Sequence, residues 1–290
     1  MDVFPLEIGT TTVHGRSWAG GRGHVLLVHG LGGSSIEWGS VGSDLAAATS
    51  SRVTAVDLPG FGRTALGRHA ATIPAQQRAL AEVLDRLGPA QVVGNSMGGL
   101  IALNLAARRP DLVEGLVLVD PALPAPTNVA ATLAGAARFV VAMTPGVGPR
   151  VIRERQRRQG PQRHVDERLR VIVHRPDRVD PAVRAEMVAM AEYRIPRRQS
   201  HAAYAAAARS IFTGARSGWR SVEAVKAPTL IVHGRHDALV PVALLDRLRA
   251  VRDDWTYEVF DDAGHLPHLE QPAEFVAVVS AWLRGKGHPA

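Results

Sequence analysis

The stretch "VVGNSMGGLIAL", residues 92–103, passes from a β-branched run through a glycine-rich turn into a helical pattern. Ser96 stands at its centre, with Gly94 two residues before it and Gly98 two residues after it. This is the G-x-S-x-G spacing of a nucleophile elbow, in the strand–turn–helix context the motif requires. A serine on so sharp a turn needs small neighbours, because the strand and helix backbones run close together on either side of it. The turn lifts Oγ above the C-terminal end of the strand. The helix behind it presents amide hydrogens and a positive dipole end to any oxyanion that develops there.

Outward from this turn the same rhythm repeats. "VLLVHG" (25–30), "RVTAVD" (52–57), "QVVGN" (91–95), "GLVLVD" (115–120), "TLIVHG" (229–234) and "TYEVF" (256–260) read as strands, most of them apolar throughout. Amphipathic stretches at 74–87, 97–108, 241–251 and 272–284 lie between or after them. Buried strands alternating with helices predict an α/β fold whose mostly parallel sheet is covered on both faces. "FPLEI" and "TTVHGRSW" alternate more and predict an antiparallel hairpin at the edge.

One segment breaks the rhythm. From Pro121 to Ala227 no strand pattern occurs. "ATLAGAARFVVAM", "PRVIRERQRRQ", "HVDERLRVIVH", "DPAVRAEMVAMAEY" and "SHAAYAAAARSIF" are helical patterns separated by Gly and Pro. The expected organisation is a core of residues 1–121 and 222–290, interrupted by a helical insertion over 122–221.

The chain has 290 residues, 46% of them apolar, no cysteine and a net charge of +7. That composition supports a large buried core and rules out disulfide and thiolate chemistry. No signal peptide and no apolar run long enough to span a membrane are read from the sequence, so a cytoplasmic protein without stable membrane insertion is expected. The positive charge is local. Residues 122–221 hold 18 Arg against 7 Asp or Glu, a net +11, and the remainder carries −4. No nucleic-acid-binding motif accompanies the basic segment, so no nucleic-acid partner is expected.

A serine hydroxyl is a weak nucleophile until a base takes its proton. Among the 12 histidines, His265 in "DDAGHLPHLEQP" follows the last strand, beside a glycine that permits a tight loop. Asp237 in "HGRHDALVP" lies just past the preceding strand and is the expected orienting acid. Asp120, ending another strand, is the alternative acid. His233 with His236, and His265 with His268, have a spacing that suits a metal, but no H-E-x-x-H occurs. "GLGGSS" lacks the spacing of a dinucleotide fingerprint and the Lys-Ser/Thr of a P-loop. No cofactor and no metal are therefore expected. Asp57 and Arg63 are expected to brace the "DLPGFG" turn.

Five motifs, "HGLGGSS" (29–35), "DLPGFG" (57–62), "GNSMGG" (94–99), "GRHDALVP" (234–241) and "AGHLPHLEQP" (263–272), resemble those of the capped α/β-hydrolase-fold serine hydrolases. That group includes esterases and the hydrolases of meta-ring-fission products. The motifs span most of the chain, and Ser96, Asp237 and His265 come in the family's order. The resemblance implies an α/β-hydrolase fold with 122–221 as a helical cap. It implies that the amides of Leu31 and Met97 form the oxyanion hole, and that His29 supports the loop carrying Leu31.

Dehalogenases and epoxide hydrolases of this resemblance carry Asp at the elbow; Ser96 implies acyl transfer to water instead. The expected activity is hydrolysis of a small-molecule carboxylic ester through Ser96, His265 and Asp237 and an acyl-enzyme. The alternative is a C–C bond hydrolase acting on ring-fission dienones. Such enzymes often carry Trp after the base histidine, where this chain has Leu266. A third reading, a ligand receptor without catalysis, is opposed by the full set of candidate residues. "ARFVVAM" and "AEMVAMAEY" are expected to line an acyl pocket; Met143, Met187 and Met190 are expected as plain core, with adaptable packing in that pocket as the alternative. The sequence does not speak to oligomeric state.

Overall fold

The computed structural model describes residues 1–9, 11–67, 70–123, 144 and 146–286. Its strands are β1 (Asp2–Ile8), β2 (Thr11–Trp18), β3 (Gly23–Val28), β4 (Ser51–Val56), β5 (Ala90–Asn95), β6 (Val113–Val119), β7 (Thr229–Gly234) and β8 (Thr256–Phe260). They form one eight-stranded sheet in the order β1-β2-β4-β3-β5-β6-β7-β8. The β1–β2 and β2–β4 pairs are antiparallel and the others parallel. The mostly parallel sheet and its antiparallel edge are those expected from the patterning.

The apolar runs are continuous because the central strands are buried on both faces. In β3, Leu26 and Val28 join one core layer while Val25 and Leu27 join the other; in β6, Leu116 and Leu118 oppose Val117 and Val119. The first layer packs on α2 (Ile73–Leu87) and α3 (Met97–Arg108). The second packs on α1 (Gly42–Thr49) and on the C-terminal helix Pro272–Lys286, through Leu45, Phe275, Val279 and Leu283. No pattern announced α1: its glycine, serine and alanines carry little amphipathic signal.

Between β6 and β7 the described residues form four α-helices, α4 (Val147–Ile172), α5 (Pro181–Arg194), α6 (Arg198–Thr213) and α7 (Ala215–Ala224), with a short 3-10 helix at Pro176–Arg178. Two of the expected patterns fall within α4, which breaks at Gly160 (φ 73°) before Pro161. Pro161 removes a backbone donor, and Gly160 takes the positive φ that the break requires. Helix α5 starts on the Asp180 side chain, which accepts from the Ala182 amide at 2.7 Å, with Pro181 in its first turn. The pattern "ATLAGAARFVVAM", with Met143, lies outside the described residues. After β7 come α8 (Leu244–Arg249), α9 (Pro267–Glu270) and α10 (Pro272–Lys286). No helix among the described residues is long and apolar enough to cross a membrane.

The β6–β7 segment packs onto the sheet's loops through a third apolar cluster. Val165, Leu169, Ile172, Val183, Met187 and Met190 meet Ile36, Leu266 and Leu269 there. Met187 and Met190 therefore serve this core, and whatever they offer a ligand comes second to that.

The elbow depends on close backbone approaches that leave no room for a side chain. A Cβ added at Gly94 would lie 2.6 Å from the Gly98 carbonyl group, and one at Gly98 would lie 2.3 Å from the Val28 carbonyl oxygen. Gly98→Ala is expected to cost about 1–3 kcal/mol or more, lowering Tm by roughly 2–4 °C per kcal/mol. Gly285→Ala, at a helical glycine facing open space, is expected to leave Tm unchanged or raise it slightly. Thermal melts of the two variants check this; equal melting would mean that strand and helix separate freely at the elbow.

Candidate active site

Ser96 links β5 to α3 with φ 53° and ψ −114°. Among the described residues only Ser50, Ser96 and Asp120 are non-glycines at positive φ. Ser50 is the C-cap of α1, where a left-handed residue is ordinary. Ser96 and Asp120 instead follow the C-terminal ends of the neighbouring strands β5 and β6. Such a conformation costs on the order of 1–3 kcal/mol and persists only where its surroundings hold it. At Ser96 the hold is three backbone bonds: its amide donates to Val119 O at 2.9 Å, and its carbonyl accepts from Leu100 at 3.1 Å and Ala122 at 3.0 Å. The side chain belongs to a residue only 9% exposed.

His265 lies in the loop after β8 and Asp237 in the loop after β7, and the fold brings them together. The His265 Nδ1 is 2.6 Å from Asp237 Oδ2, with both residues buried. The other Asp237 oxygen accepts from the Leu239 and Val240 amides at 2.7 and 3.0 Å. Burial opposes ionisation of Asp237, but His265 and the two amides outweigh it and hold the carboxyl below its usual value. Asp120, the alternative acid, makes no such bond to His265.

Asn95, directly before Ser96, donates its side-chain amide to His265 O at 3.0 Å and to Val119 O at 3.2 Å. It thereby ties the backbone of His265 to the elbow. Sequence reading passed over Asn95; its place inside "GNSMGG" was the signal.

The loop after β3 lies against the elbow. A Cβ on Gly30 would meet Asn95 Oδ1 at 2.8 Å and Ser96 Cβ at 3.2 Å, so only glycine permits this approach. His29 is fully buried; its Nε2 accepts from the Leu58 amide at 3.1 Å, so Nδ1 carries the proton and donates to Gly30 O at 2.7 Å. Burial keeps this imidazole neutral. Leu31 follows, half-buried, and Gly33 closes the turn by donating to Gly30 O at 3.1 Å. Met97 opens α3, where an amide has no partner one turn back.

Two arginines reach this loop from the β6–β7 segment. Arg194 donates to Gly32 O at 2.9 Å, and Arg168 pairs with buried Glu37 at 2.5 Å. Ala203 and Tyr204 of α6 lie over Gly60 and Gly32. Asp57 braces the "DLPGFG" turn by accepting from the Ser35 and Arg63 amides at 2.7 and 2.8 Å. Arg63 contributes its backbone there, while its guanidinium lies 5.3 Å over the Tyr193 ring.

The remaining histidines have separate tasks. His268 is fully buried and stacks on Trp38 at 4.2 Å, and burial pulls it down to about 3. His236 stacks on His174 at 3.9 Å. Asp120, His233 and Asp237 do bring ligating atoms within 4.8 Å of one another. A cation there would compete with His265 for Asp237 Oδ2.

Glu270 is a further residue the sequence reading missed. Its Oε1 accepts from the Gly264 amide at 2.7 Å, and its Oε2 from the His174 and Arg175 amides at 2.8 and 2.7 Å. The His265 amide itself donates to Ile172 O at 2.9 Å. The loop carrying His265 is thus fastened to the end of α4.

The basic character of the β6–β7 segment is partly offset. Arg155 and Arg163 pair with Glu167, Arg158 with Glu154, and Arg184 with Asp166. Arg168 pairs with Glu37, and Arg175 and Arg178 with Asp262, outside the segment. A cavity of about 520 Å³ opens at the Gly160–Pro161 break, lined by Arg153, Arg157, Glu192 and Ile195. None of its lining residues belongs to the Ser96 site.

Residues 23–272 match the family model described as alpha/beta hydrolase fold. The chain belongs to that family. Over 275 residues it is 29% identical to a pimeloyl-[acyl-carrier protein] methyl ester esterase of Aromatoleum aromaticum, covering 91% of this chain and 99% of that one. Over 274 residues it is 28% identical to a 2-hydroxy-6-oxo-6-(2'-aminophenyl)hexa-2,4-dienoic acid hydrolase of Metapseudomonas resinovorans, covering 91% and 85%. A thermophilic esterase of Thermogutta terrifontis superposes with a TM-score of 0.75 at 27% identity, over 99% of this chain and 100% of that one. This α/β-hydrolase-fold protein is a hydrolase.

Glu270→Gln replaces one oxygen of a carboxylate that serves three amides, so at least one buried donor is orphaned. The expected cost is about 1–3 kcal/mol. Hydrogen exchange at Gly264, His174 and Arg175 should accelerate beyond that of the sheet. Unchanged protection at all three amides would show that Glu270 does not fasten the loop.

Proposed function

We propose that this hydrolase cleaves a carboxylic ester through an acyl-enzyme, with Ser96 as nucleophile, His265 as base and Asp237 as orienting acid. The observation that carries the reading is the buried 2.6 Å contact of His265 Nδ1 with Asp237, on loops adjoining a serine at the strained end of β5. Ser96 Oγ attacks the substrate carbonyl and gives its proton to His265 Nε2. Asp237 keeps the other ring proton on Nδ1 and stabilises the imidazolium. The amides of Leu31 and Met97 receive the oxyanion; one such donor is typically worth about 2.7–4 kcal/mol. His265 then protonates the departing alkoxide, and activates the water that releases the acid from Ser96.

The ester reading draws support from the esterases to which the chain is similar. In it, residues 122–221 act as a cap over the core formed by 1–121 and 222–290, and the placement of Ala203 and Tyr204 over Gly60 and Gly32 supports that role. The C–C hydrolase is the second reading, favoured by the relative that acts on a dienoic acid. Leu266 weighs against it: it is buried in the cluster with Val165 and Leu169, where those enzymes often carry Trp.

Ser96→Ala, His265→Ala and Asp237→Asn should each keep the circular dichroism of the parent and lose at least about a thousandfold in turnover of p-nitrophenyl esters. A fluorophosphonate should label Ser96, as peptide mass spectrometry would locate. A folded Ser96→Ala with parental turnover would refute the assignment. Faster hydrolysis of a ring-fission dienone than of any ester in a chain-length series would select the second reading.

A further inference from the structure

Asp120 follows β6 with φ 45° and is fully buried. Its amide donates to Val232 O at 2.9 Å, and its Oδ1 accepts from the Gly234 amide at 2.9 Å. Gly234 ends β7 and opens the loop that carries Asp237. The second oxygen, Oδ2, has neither solvent nor a hydrogen-bond partner. Beside it lies His233, also fully buried, whose Nε2 is 2.9 Å from Val240 O. Nε2 must therefore carry the ring proton, which leaves Nδ1 a bare lone pair without a partner, 3.5 Å from Asp120 Oδ1. Asp237 completes the cluster, with both of its oxygens already committed.

The titratable groups around Asp120 are His233 of β7, Asp237 in the loop after β7, Glu270 at the end of α9 and, behind Asp237, His265 in the loop after β8. Three of these neighbours offer only lone pairs or negative charge, and the fourth, His265, is turned toward Asp237. A second carboxylate in this place would meet acceptors and another anion. A proton on Oδ2 converts the one unpartnered acceptor of the carboxyl into a donor among acceptors, which is what buried polar groups require.

We propose that Asp120 is a positioning residue that works as an un-ionised carboxylic acid, its Oδ1 fixing the start of the Asp237 loop and its protonated Oδ2 leaving Asp237 as the charged carboxylate on His265 Nδ1. The proposal rests on Asp237 and His265 being the acid and base. Burial first, and then the charge of Asp237, push this carboxyl well above its usual value.

The linkage has a definite sign. The unfolded chain ionises Asp120 above about pH 4, whereas the folded chain keeps the proton, so folding takes one up. Stability then falls as pH rises from the ordinary carboxylate value toward the raised one. Asp120→Asn retains an acceptor for Gly234 and a donor in place of the acid proton, but has nothing to ionise. Its melting temperature relative to the parent should rise as pH is taken up from about 4 toward the raised value. A variant that is less stable than the parent at the upper end, with a gap that closes toward the lower end, would show that Asp120 is an ionised partner and overturn the proposal.

Kinetics give the second arm. Asp120→Ala should lose at least about tenfold in kcat with little change in KM, and Asp120→Asn should restore kcat to within about threefold. Equal loss in both variants would also overturn it. The melting series needs no substrate, so it still decides the state of Asp120 if Ser96→Ala shows the functional reading to be wrong, or if Asp120→Ala fails to fold.

Discussion

Two layers of backbone meet at the elbow with no side chain between them, and the rest of the site is arranged around that approach. Gly98 rests on the Val28 carbonyl, Gly94 on Gly98, and Gly30 beside Asn95 and Ser96. Because β3 and β5 are hydrogen-bonded neighbours, this fixes the loop after β3 against the serine. Asn95 extends the same network to the backbone of His265. Side-chain volume added at any of these glycines would therefore move several candidate groups together. The strain at Ser96 is kept in place by a sheet that is buried on both faces and cannot relax outward.

Carboxylates do much of the work of holding loops at the C-terminal end of this sheet. Asp57 gathers the amides of Ser35 and Arg63, Asp237 those of Leu239 and Val240, and Glu270 those of Gly264, His174 and Arg175. A loop that leaves a parallel strand has backbone donors that no neighbouring strand can satisfy, and an acceptor-only side chain serves them well. The cost is that several acids are crowded at one end of the molecule. The fold meets it by giving each carboxylate its own donors, by Arg168 at Glu37, and by burying histidines whose ring protons are committed to carbonyls.

The sheet was legible in the sequence for a physical reason. Strands buried on both faces are written as unbroken apolar runs, and the hairpin exposed on one face is written as alternation. The elbow was legible because its glycines are adjacent in sequence to the serine they serve. The Gly160–Pro161 break was visible in the dipeptide itself. Helix α1 was not, since Gly42, Ser43 and three alanines give no periodic stripe. Asn95 and Glu270 act on partners 170 and about 95 residues away, and no local pattern encodes that. The charge of the β6–β7 segment was countable, but its pairing with Glu37 and Asp262 was not, because those acids are brought to it only by the fold. Asp237 and His265 were selected by their places after successive strands, and parallel topology puts successive strand ends side by side.

The attachment of α4 to the His265 loop ties two parts of the chain that are distant in sequence. Between Ile172 and Arg178 the chain accepts from the His265 amide, gives the amides of His174 and Arg175 to Glu270, and places Arg178 on the Asp262 carbonyl. A hinge at this stretch would break four hydrogen bonds and release the very loop that holds the imidazole. It is the fixed leaf of the clasp. The leaf with fewer such ties is α6, which rests on Gly32 and Gly60 through Ala203 and Tyr204. The two parts of the β6–β7 segment are thus held unequally, the end of α4 by hydrogen bonds to the His265 loop and α6 mainly by packing on Gly32 and Gly60.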